Sequence, residues 1–193
     1  MPEIDMLEIK YYGRGGQGAK TAAFLFAQMC FEAGRFVQAF VEHGPEGMGA
    51  PVISYNRIAS HPIILQGTII KPDIIVVLDE TLIETMNIFE KISSDTLIII
   101  NTIFSPDDMR RRTGLNRNKI YTVNVSEIFK KLNNIGMPNS PMLGALIRVT
   151  DIFDLEKGLK TALEKLGKKF LYKPEFINQN IEAIKCGYYE VKE

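Results

Sequence analysis

The stretch Met6-Leu7-Glu8-Ile9-Lys10-Tyr11-Tyr12-Gly13-Arg14-Gly15-Gly16-Gln17-Gly18-Ala19 decides the fold. Its first half is an apolar, β-rich run, and its second half packs four glycines into six residues directly ahead of a helical run over 19–33. A strand, a tight turn and a helix in that order open an α/β sheet protein. Glycine lets the backbone take positive φ and brings successive N–H groups close to a ligand, while the helix N-terminus behind it adds partial positive charge. Gly13, Arg14, Gly15, Gly16, Gln17 and Gly18 therefore read as an anion cradle, with Arg14 as a fixed cation. A purely structural reading stands beside it, in which the glycines only make a tight turn and let the helix lie close to the sheet.

Gly13, Gly15 and Gly18 also fit the spacing G-x-G-x-x-G. In a dinucleotide-binding unit that spacing is followed, about 20 positions on, by an acidic residue at the end of the second strand, where it holds ribose hydroxyls. Val37-Gln38-Ala39-Phe40-Val41 is a fitting second strand and Glu42 follows it. This keeps open an alternative function, a stand-alone Rossmann-like NAD(P)-dependent oxidoreductase or a nucleotide- or CoA-binding module.

Working outward, the helix over 19–34 is apolar on nearly every side, with Thr21, Gln28, Glu32 and Arg35 as a narrow polar stripe. Such a helix is packed on both faces, by the protein's own layers or by a partner. Runs over 74–78 and 97–100 are continuously apolar and predict central parallel strands buried on both sides. The run over 52–58 alternates, with Ser54 and Asn56 on one side, and predicts an edge or antiparallel strand; 119–123 supplies a further strand. A crossover helix is expected over 80–92, and another from Pro106 with Ser105 as its N-cap. The apolar spacing predicts two closing helices within about 152–188, one after Asp154 and one after Pro174. The fold class is thus α/β, a three-layer α/β/α sandwich with a mixed, largely parallel sheet, taken as one domain over 1–193.

Composition narrows the chemistry. The 193 residues carry 23 Lys plus Arg against 23 Asp plus Glu, so the formal net charge is zero and no broad footprint for nucleic acid or anionic lipid is expected. Cys30 and Cys186 stand far apart and outside any C-x-x-C pair, which excludes an iron–sulfur cluster held by this chain alone and argues against zinc and a disulfide framework. There is no G-x-x-x-x-G-K-[ST] phosphate loop, no G-x-S-x-G elbow and no Gly-Asp-Gly run to anchor diphosphate-bound magnesium. The acidic start Met1-Pro2-Glu3-Ile4-Asp5 and the lack of an apolar run near the ~20 residues of a membrane span lead to an expected cytoplasmic location and no membrane partner.

Two irregular segments should share the rim with the glycine loop. The loop Glu42-His43-Gly44-Pro45-Glu46-Gly47-Met48-Gly49-Ala50-Pro51 follows the second strand, and ligands of open α/β sheets bind beyond the carboxyl ends of the strands. His43 lies among carboxylates there, but no nucleophile or orienting partner accompanies it, so an ordered interface loop is the preferred reading. His61 precedes Pro62 in a surface turn and reads as solvated. Gly136-Met137-Pro138-Asn139-Ser140-Pro141-Met142-Leu143-Gly144-Ala145-Leu146 is the third wall, with Asn139 or Ser140 as the cap, Pro141 at the first helical position, and Gly144 and Ala145 small enough for close packing.

Taken together, Gly13-Arg14-Gly15-Gly16-Gln17-Gly18, Gly44-Pro45-Glu46, Gly49-Ala50-Pro51-Val52, Asn56-Arg57-Ile58, Asp79-Glu80-Thr81-Leu82, Pro138-Asn139-Ser140-Pro141 and Gly187-Tyr188-Tyr189-Glu190 resemble the gamma subunit of the 2-oxoacid (pyruvate) ferredoxin oxidoreductases. The resemblance implies a subunit of a complex that cleaves a 2-oxoacid to acyl-CoA and carbon dioxide and passes electrons to ferredoxin. It implies that thiamine diphosphate, magnesium and iron–sulfur clusters sit on companion alpha, beta and delta subunits. It also implies that Gly13–Gly18 with Gly44, Pro45 and Glu46 form a CoA passage or an interface rim, with no catalytic residue and no metal on this chain. Family members carry an arginine shortly after Gly-Pro-Glu where this chain has Gly47 and Met48, so that contact is absent or falls to Arg14 or Arg57. The segments around Gly49 and Pro138 look more like the pyruvate and 2-oxoisovalerate branches than the 2-oxoglutarate branch.

Overall fold

In the computed structural model, which describes residues 5–42, 49–90, 92–133 and 136–193, the opening run becomes β1 (Met6–Arg14) and passes through the glycines into α1 (Ala19–Glu32). There follow β2 (Phe36–Glu42), β3 (Pro51–Ala59), β4 (Ile74–Val77), α2 (Leu82–Thr85), β5 (Leu97–Asn101), α3 (Pro106–Thr113), β6 (Ile120–Val123), α4 (Val125–Lys131), α5 (Asn139–Thr150), α6 (Leu155–Lys169) and α7 (Pro174–Glu190). The strands lie in the order β2-β3-β1-β4-β5-β6. β1, β4, β5 and β6 are parallel, and β3 runs antiparallel to both of its neighbours. The sheet is mixed and largely parallel, as expected. The alternating run is antiparallel but internal; the edge belongs to β2.

Burial follows the sequence pattern. All four residues of β4 are buried, and so are Ile98, Ile99 and Ile100 of β5, because helices lie on both faces. The strands divide their side chains between two cores. Ile9, Tyr11, Ile74, Val76 and Ile99 meet α1 and α4–α7 on one face, whereas Tyr12, Ile75, Val77, Ile98 and Ile100 meet Leu82 of α2 and Met109 of α3 on the other. Three layers are present, and they are unequal.

Several helix boundaries obey local chemistry. Ser105 Oγ accepts the Asp108 N–H at 3.1 Å and Asp154 Oδ1 accepts the Lys157 N–H at 2.8 Å, which starts α3 and α6. Pro106 and Pro174 occupy first-turn positions, where a missing N–H costs nothing. α4, which the apolar periodicity does not announce, begins where Asn124 Oδ1 accepts the Glu127 N–H at 3.1 Å. α5 departs from expectation: Pro138 takes the cap position, so Asn139 and Ser140 are already helical and neither caps.

Two larger departures have physical causes. The helix expected over 80–92 shrinks to Leu82–Thr85, because Asn87 turns left-handed at φ 47° and swings Ile88 into the smaller core. α1 is packed on the sheet and on α5 and α6, but it is not covered all round: Phe24 and Phe31 remain 45% and 60% exposed. Elsewhere the helices meet at backbone distance. A Cβ on Gly144 of α5 would stand 1.9 Å from the Ile184 carbonyl oxygen of α7, and one on Gly187 would stand 1.9 Å from that of Pro141.

Candidate functional site

The carboxyl ends of the parallel strands gather the polar residues of the chain. From β1 the chain crosses through α1 to β2 at one edge, while β4, β5 and β6 extend the sheet the other way, so the gap between β1 and β4 is the topological switch point. A crevice of about 370 Å³ opens at this end, lined by Gln17, Asp79, Thr81, Asn101, Thr102, Asn124 and Pro138 among others. Its floor is fixed by self-contained bonds: Asn101 Nδ2 donates to the Leu78 carbonyl at 3.0 Å, its Oδ1 accepts the Val125 N–H at 3.3 Å, and the Thr102 hydroxyl donates to Glu80 at 2.5 Å.

Asp79, just beyond β4, is the hub of the switch point. Its Oδ2 accepts from Arg14 Nε at 3.2 Å and from Gln17 Nε2 at 2.7 Å, and its Oδ1 accepts from the Thr81 N–H at 3.0 Å and the Thr81 hydroxyl at 2.6 Å. Burial disfavours the carboxylate, but the bonds from Thr81 and Gln17 and the charge of Arg14 outweigh it, so Asp79 is held below the ordinary carboxylate range. Arg14 is equally engaged. Its other guanidinium nitrogens donate to the Gly49 carbonyl at 3.1 Å and to Thr81 Oγ1 at 2.8 Å. The fixed cation expected of the cradle is thus neutralised within the chain.

The glycine loop itself is part cradle and part joint. The Gly15 N–H donates to the Ala50 carbonyl at 2.8 Å and the Gly49 N–H to the Gly15 carbonyl at 3.1 Å, which carries the β1–β3 ladder into the loop. Gln17 closes the turn, its N–H reaching the Arg14 carbonyl at 2.9 Å while its side-chain oxygen accepts the Arg14 N–H at 2.7 Å. Gly18 needs to be glycine on two counts: φ is +82°, and a Cβ would stand 2.8 Å from Asn139 Cγ. No side chain caps α1, so the N–H groups of its first turn keep their capacity for an outside acceptor.

Other expected site residues fall elsewhere. Glu42 ends β2, two strands away from the glycine loop because β3 intervenes, and it accepts a hydrogen bond from the Tyr55 hydroxyl. Two strand spacings are about 10 Å, so Glu42 is not placed as the ribose-binding acid of a dinucleotide fold. Arg57 is 3% exposed on the sheet face, where it donates to Glu8 at 2.7 Å, Gln38 at 3.3 Å and the Gly67 carbonyl at 3.0 Å. It cannot replace an arginine at the rim. His61 is exposed and bonds to Asp5 at 3.0 Å. His43, Gly44, Pro45 and Glu46 lie outside the described residues. The positions that sequence reasoning did not single out as site residues are Asp79 and Thr81; the signal was the Asp-x-Thr that follows the apolar β4 run.

Two cysteines on separate helices, Cys30 buried in α1 and Cys186 in α7, do not fit a cluster ligand set. Burial pushes the Cys30 thiol well up, the opposite of what a thiolate ligand needs. Among the described residues no group of three or more His, Cys, Asp or Glu could hold a metal ion, and no helix is long and apolar enough to cross a membrane.

Comparison with known proteins agrees along the whole length. The chain is 43% identical over 185 residues to pyruvate synthase subunit PorC of Thermotoga maritima, covering 96% of this chain and 94% of that one. It is 36% identical over 171 residues to the pyruvate/ketoisovalerate oxidoreductases common subunit gamma of Pyrococcus abyssi, covering 85% and 91%. The crystal structure of the pyruvate oxidoreductase subunit PORC from Thermotoga maritima superposes with a TM-score of 0.80 at 38% identity, over 98% of each chain. Residues 8–190 match the family model described as pyruvate ferredoxin/flavodoxin oxidoreductase, and the chain belongs to that family.

Proposed function

We propose that this chain is the gamma subunit of a multi-subunit pyruvate:ferredoxin oxidoreductase, which converts pyruvate and CoA to acetyl-CoA and carbon dioxide while reducing ferredoxin. The observation that carries the reading is the likeness to a pyruvate synthase subunit across 96% of the chain. The chemistry of the residues supports a scaffold role. Asp79, the acid at the centre of the switch point, is consumed in holding Arg14 and Gln17, and among the described residues no nucleophile–base pair accompanies it. Thiamine diphosphate, magnesium and the iron–sulfur clusters belong to the alpha, beta and delta subunits in this reading, which is supported by a sequence with two cysteines, on separate helices, and no Gly-Asp-Gly run.

Gly13–Gly18 lines the passage for CoA, a role extended to Gly44, Pro45 and Glu46 on the family likeness alone, and the uncapped first turn of α1 is the element suited to a phosphate of that cofactor. The cytoplasm is the compartment of such a complex. Pyruvate is the substrate; 2-oxoisovalerate is the second reading, favoured by the relative whose name assigns one gamma subunit to both oxidoreductases. The test is to purify the tagged chain from its host and identify its companions by mass spectrometry. Companion thiamine- and cluster-bearing chains, with pyruvate- and CoA-dependent ferredoxin reduction by the complex and none by the isolated chain, are expected. A chain that turns over alone, or elutes alone, overturns the reading.

A further inference from the structure

The turn between α6 and α7 joins a run of positive charge to exposed apolar surface. α6 closes with Lys165, Lys168 and Lys169, the chain turns through Phe170, Leu171, Tyr172 and Lys173, and Pro174 opens α7. Leu171 is 71% exposed and Tyr172 95%. The turn beneath them is built. The Phe170 N–H donates to the Leu166 carbonyl and the Lys173 N–H to the Phe170 carbonyl, each at 2.8 Å, and the rings of Phe170 and Phe176 meet edge to face at 4.8 Å. Two large side chains, Leu171 and the amphipathic Tyr172, are therefore held outward on a braced support, where a surface that covers them gains the apolar area it removes from water.

The charges around them make no ion pair among the described residues, although the Lys169 ammonium stands 5.3 Å over the Phe170 ring of the same turn. Elsewhere on the same two helices Lys157 pairs with Asp154 at 3.3 Å and Lys185 with Glu182 at 2.8 Å. Lys168, Lys169 and Lys173 are exposed, and among the described residues none of them joins the ion pairs that Lys157 and Lys185 make. The six residues 168–173 hold three positive charges and no negative one, in a chain whose formal charge is zero. Glu164 and Glu175 flank the turn and leave its centre positive.

Position ties this surface to the rim. α5 starts at Asn139, whose side chain packs on Gly18 of the glycine loop, and Ser140 Oγ donates to Asn180 Oδ1 of α7 at 2.6 Å. Asn180 lies within the first two turns of α7, so the α6–α7 turn stands at the rim's end of the molecule. We propose that this turn is a second docking point, where the Leu171–Tyr172 knob enters an apolar notch on an acidic surface of a companion subunit and Lys168, Lys169 and Lys173 face its carboxylates. This rests on reading the chain as a subunit seated by its rim. Continuity with the rim favours a protein surface over a lipid one, and the local positive charge requires that surface to be acidic.

The test uses the assembled complex, with a photoreactive phenylalanine analogue placed at Tyr172 or, separately, at Ile103 on the rim. Tyr172 is expected to cross-link to a companion subunit at a peptide rich in Asp and Glu. The combined substitution Lys168→Glu, Lys169→Glu and Lys173→Glu should lower that yield at least tenfold and leave the Ile103 cross-link unchanged. A cross-link from Ile103 with none from Tyr172, a Tyr172 cross-link to a peptide without carboxylates, or a yield indifferent to the lysines overturns the proposal and leaves the subunit reading intact. Absence of both cross-links overturns both. Binding of the complex to phosphatidylglycerol vesicles that is lost with the triple substitution would assign the surface to lipid and also overturn the proposal.

Discussion

Asp79 shows how much of this rim is decided by one side chain. Its carboxylate is the common acceptor for Arg14, Gln17 and Thr81, so it joins the end of β1 to the end of β4. Asp79→Asn removes the charge while keeping the shape, and bonds to a charged acceptor contribute about 2 kcal/mol, so urea denaturation at pH 7 should show a loss of that order. The pH dependence has a definite sign. Asp79 is held below its ordinary value of 3.8, so its contribution is complete above that value and disappears as the pH falls through the lowered one. The gap in stability between the natural chain and Asp79→Asn should therefore be full at neutral pH and close below 3.8; a gap that widens in acid would contradict the hub. Gly144 makes the complementary point about space. With an added Cβ 1.9 Å from the Ile184 carbonyl, Gly144→Ala must push α5 off α7 and should cost about 3 kcal/mol, at the upper end of overpacking. Gly16, with nothing within 4 Å of an added Cβ, is the control for space, although its φ of +97° still penalises alanine. The closeness of Gly144 was legible in its small neighbours. The role of Asp79 was not, because a hub depends on which strand ends become neighbours.

Among the elements, β3 has the widest consequence. Inserted antiparallel between β2 and β1, it moves the end of β2 away from the glycine loop, and its lead-in residues Gly49 and Ala50 bond to Gly15. The G-x-G-x-x-G spacing survives while the geometry that would make it a dinucleotide site does not. Calorimetric titration of the chain with NADH or NADPH should accordingly show no micromolar binding; binding in that range, weakened by Glu42→Ala, would restore the rejected reading. The central strands were legible because β4 and β5 are apolar without alternation, and α3, α6 and α7 were legible from their caps and prolines. α2 was over-read, since its apolar spacing continues past Asn87 while the backbone there turns left-handed. Nothing local distinguishes an Asn that will leave the helix from one that stays. The place of β3 in the sheet order was hidden because Ser54 and Asn56, the polar residues that make its run alternate, are themselves buried between β2 and β1, so the alternation marked neither a solvent face nor the neighbouring strands.

At the scale of the whole molecule, the proposed rim end of the sheet leaves large apolar side chains in solvent. Ile103, beyond β5, is 68% exposed and lines the crevice that Asp79 and Asn101 help to form, and Met137, just ahead of α5, is 54% exposed between Gly136 and Pro138 of the same lining. Apolar side chains left in water on a braced rim contribute nothing to the folded chain alone, but they strengthen an assembly that buries them. This separates folding from association experimentally. Ile103→Glu changes a side chain already in solvent, so the thermal midpoint of the isolated chain should stay within about a degree, as surface substitutions usually lie within ~0.5 kcal/mol. In the complex the same carboxylate would be driven into an apolar contact without a partner, a cost of several kcal/mol that should lower subunit affinity by at least a hundredfold. Native mass spectrometry of complex reconstituted with Ile103→Glu chain should therefore show the other subunits without this one, while Phe31→Glu, on the open stripe of α1 away from the rim, should assemble normally. If Phe31→Glu rather than Ile103→Glu ejects the chain, the docking end is the wrong one, and the uncovered arc of α1 takes its place.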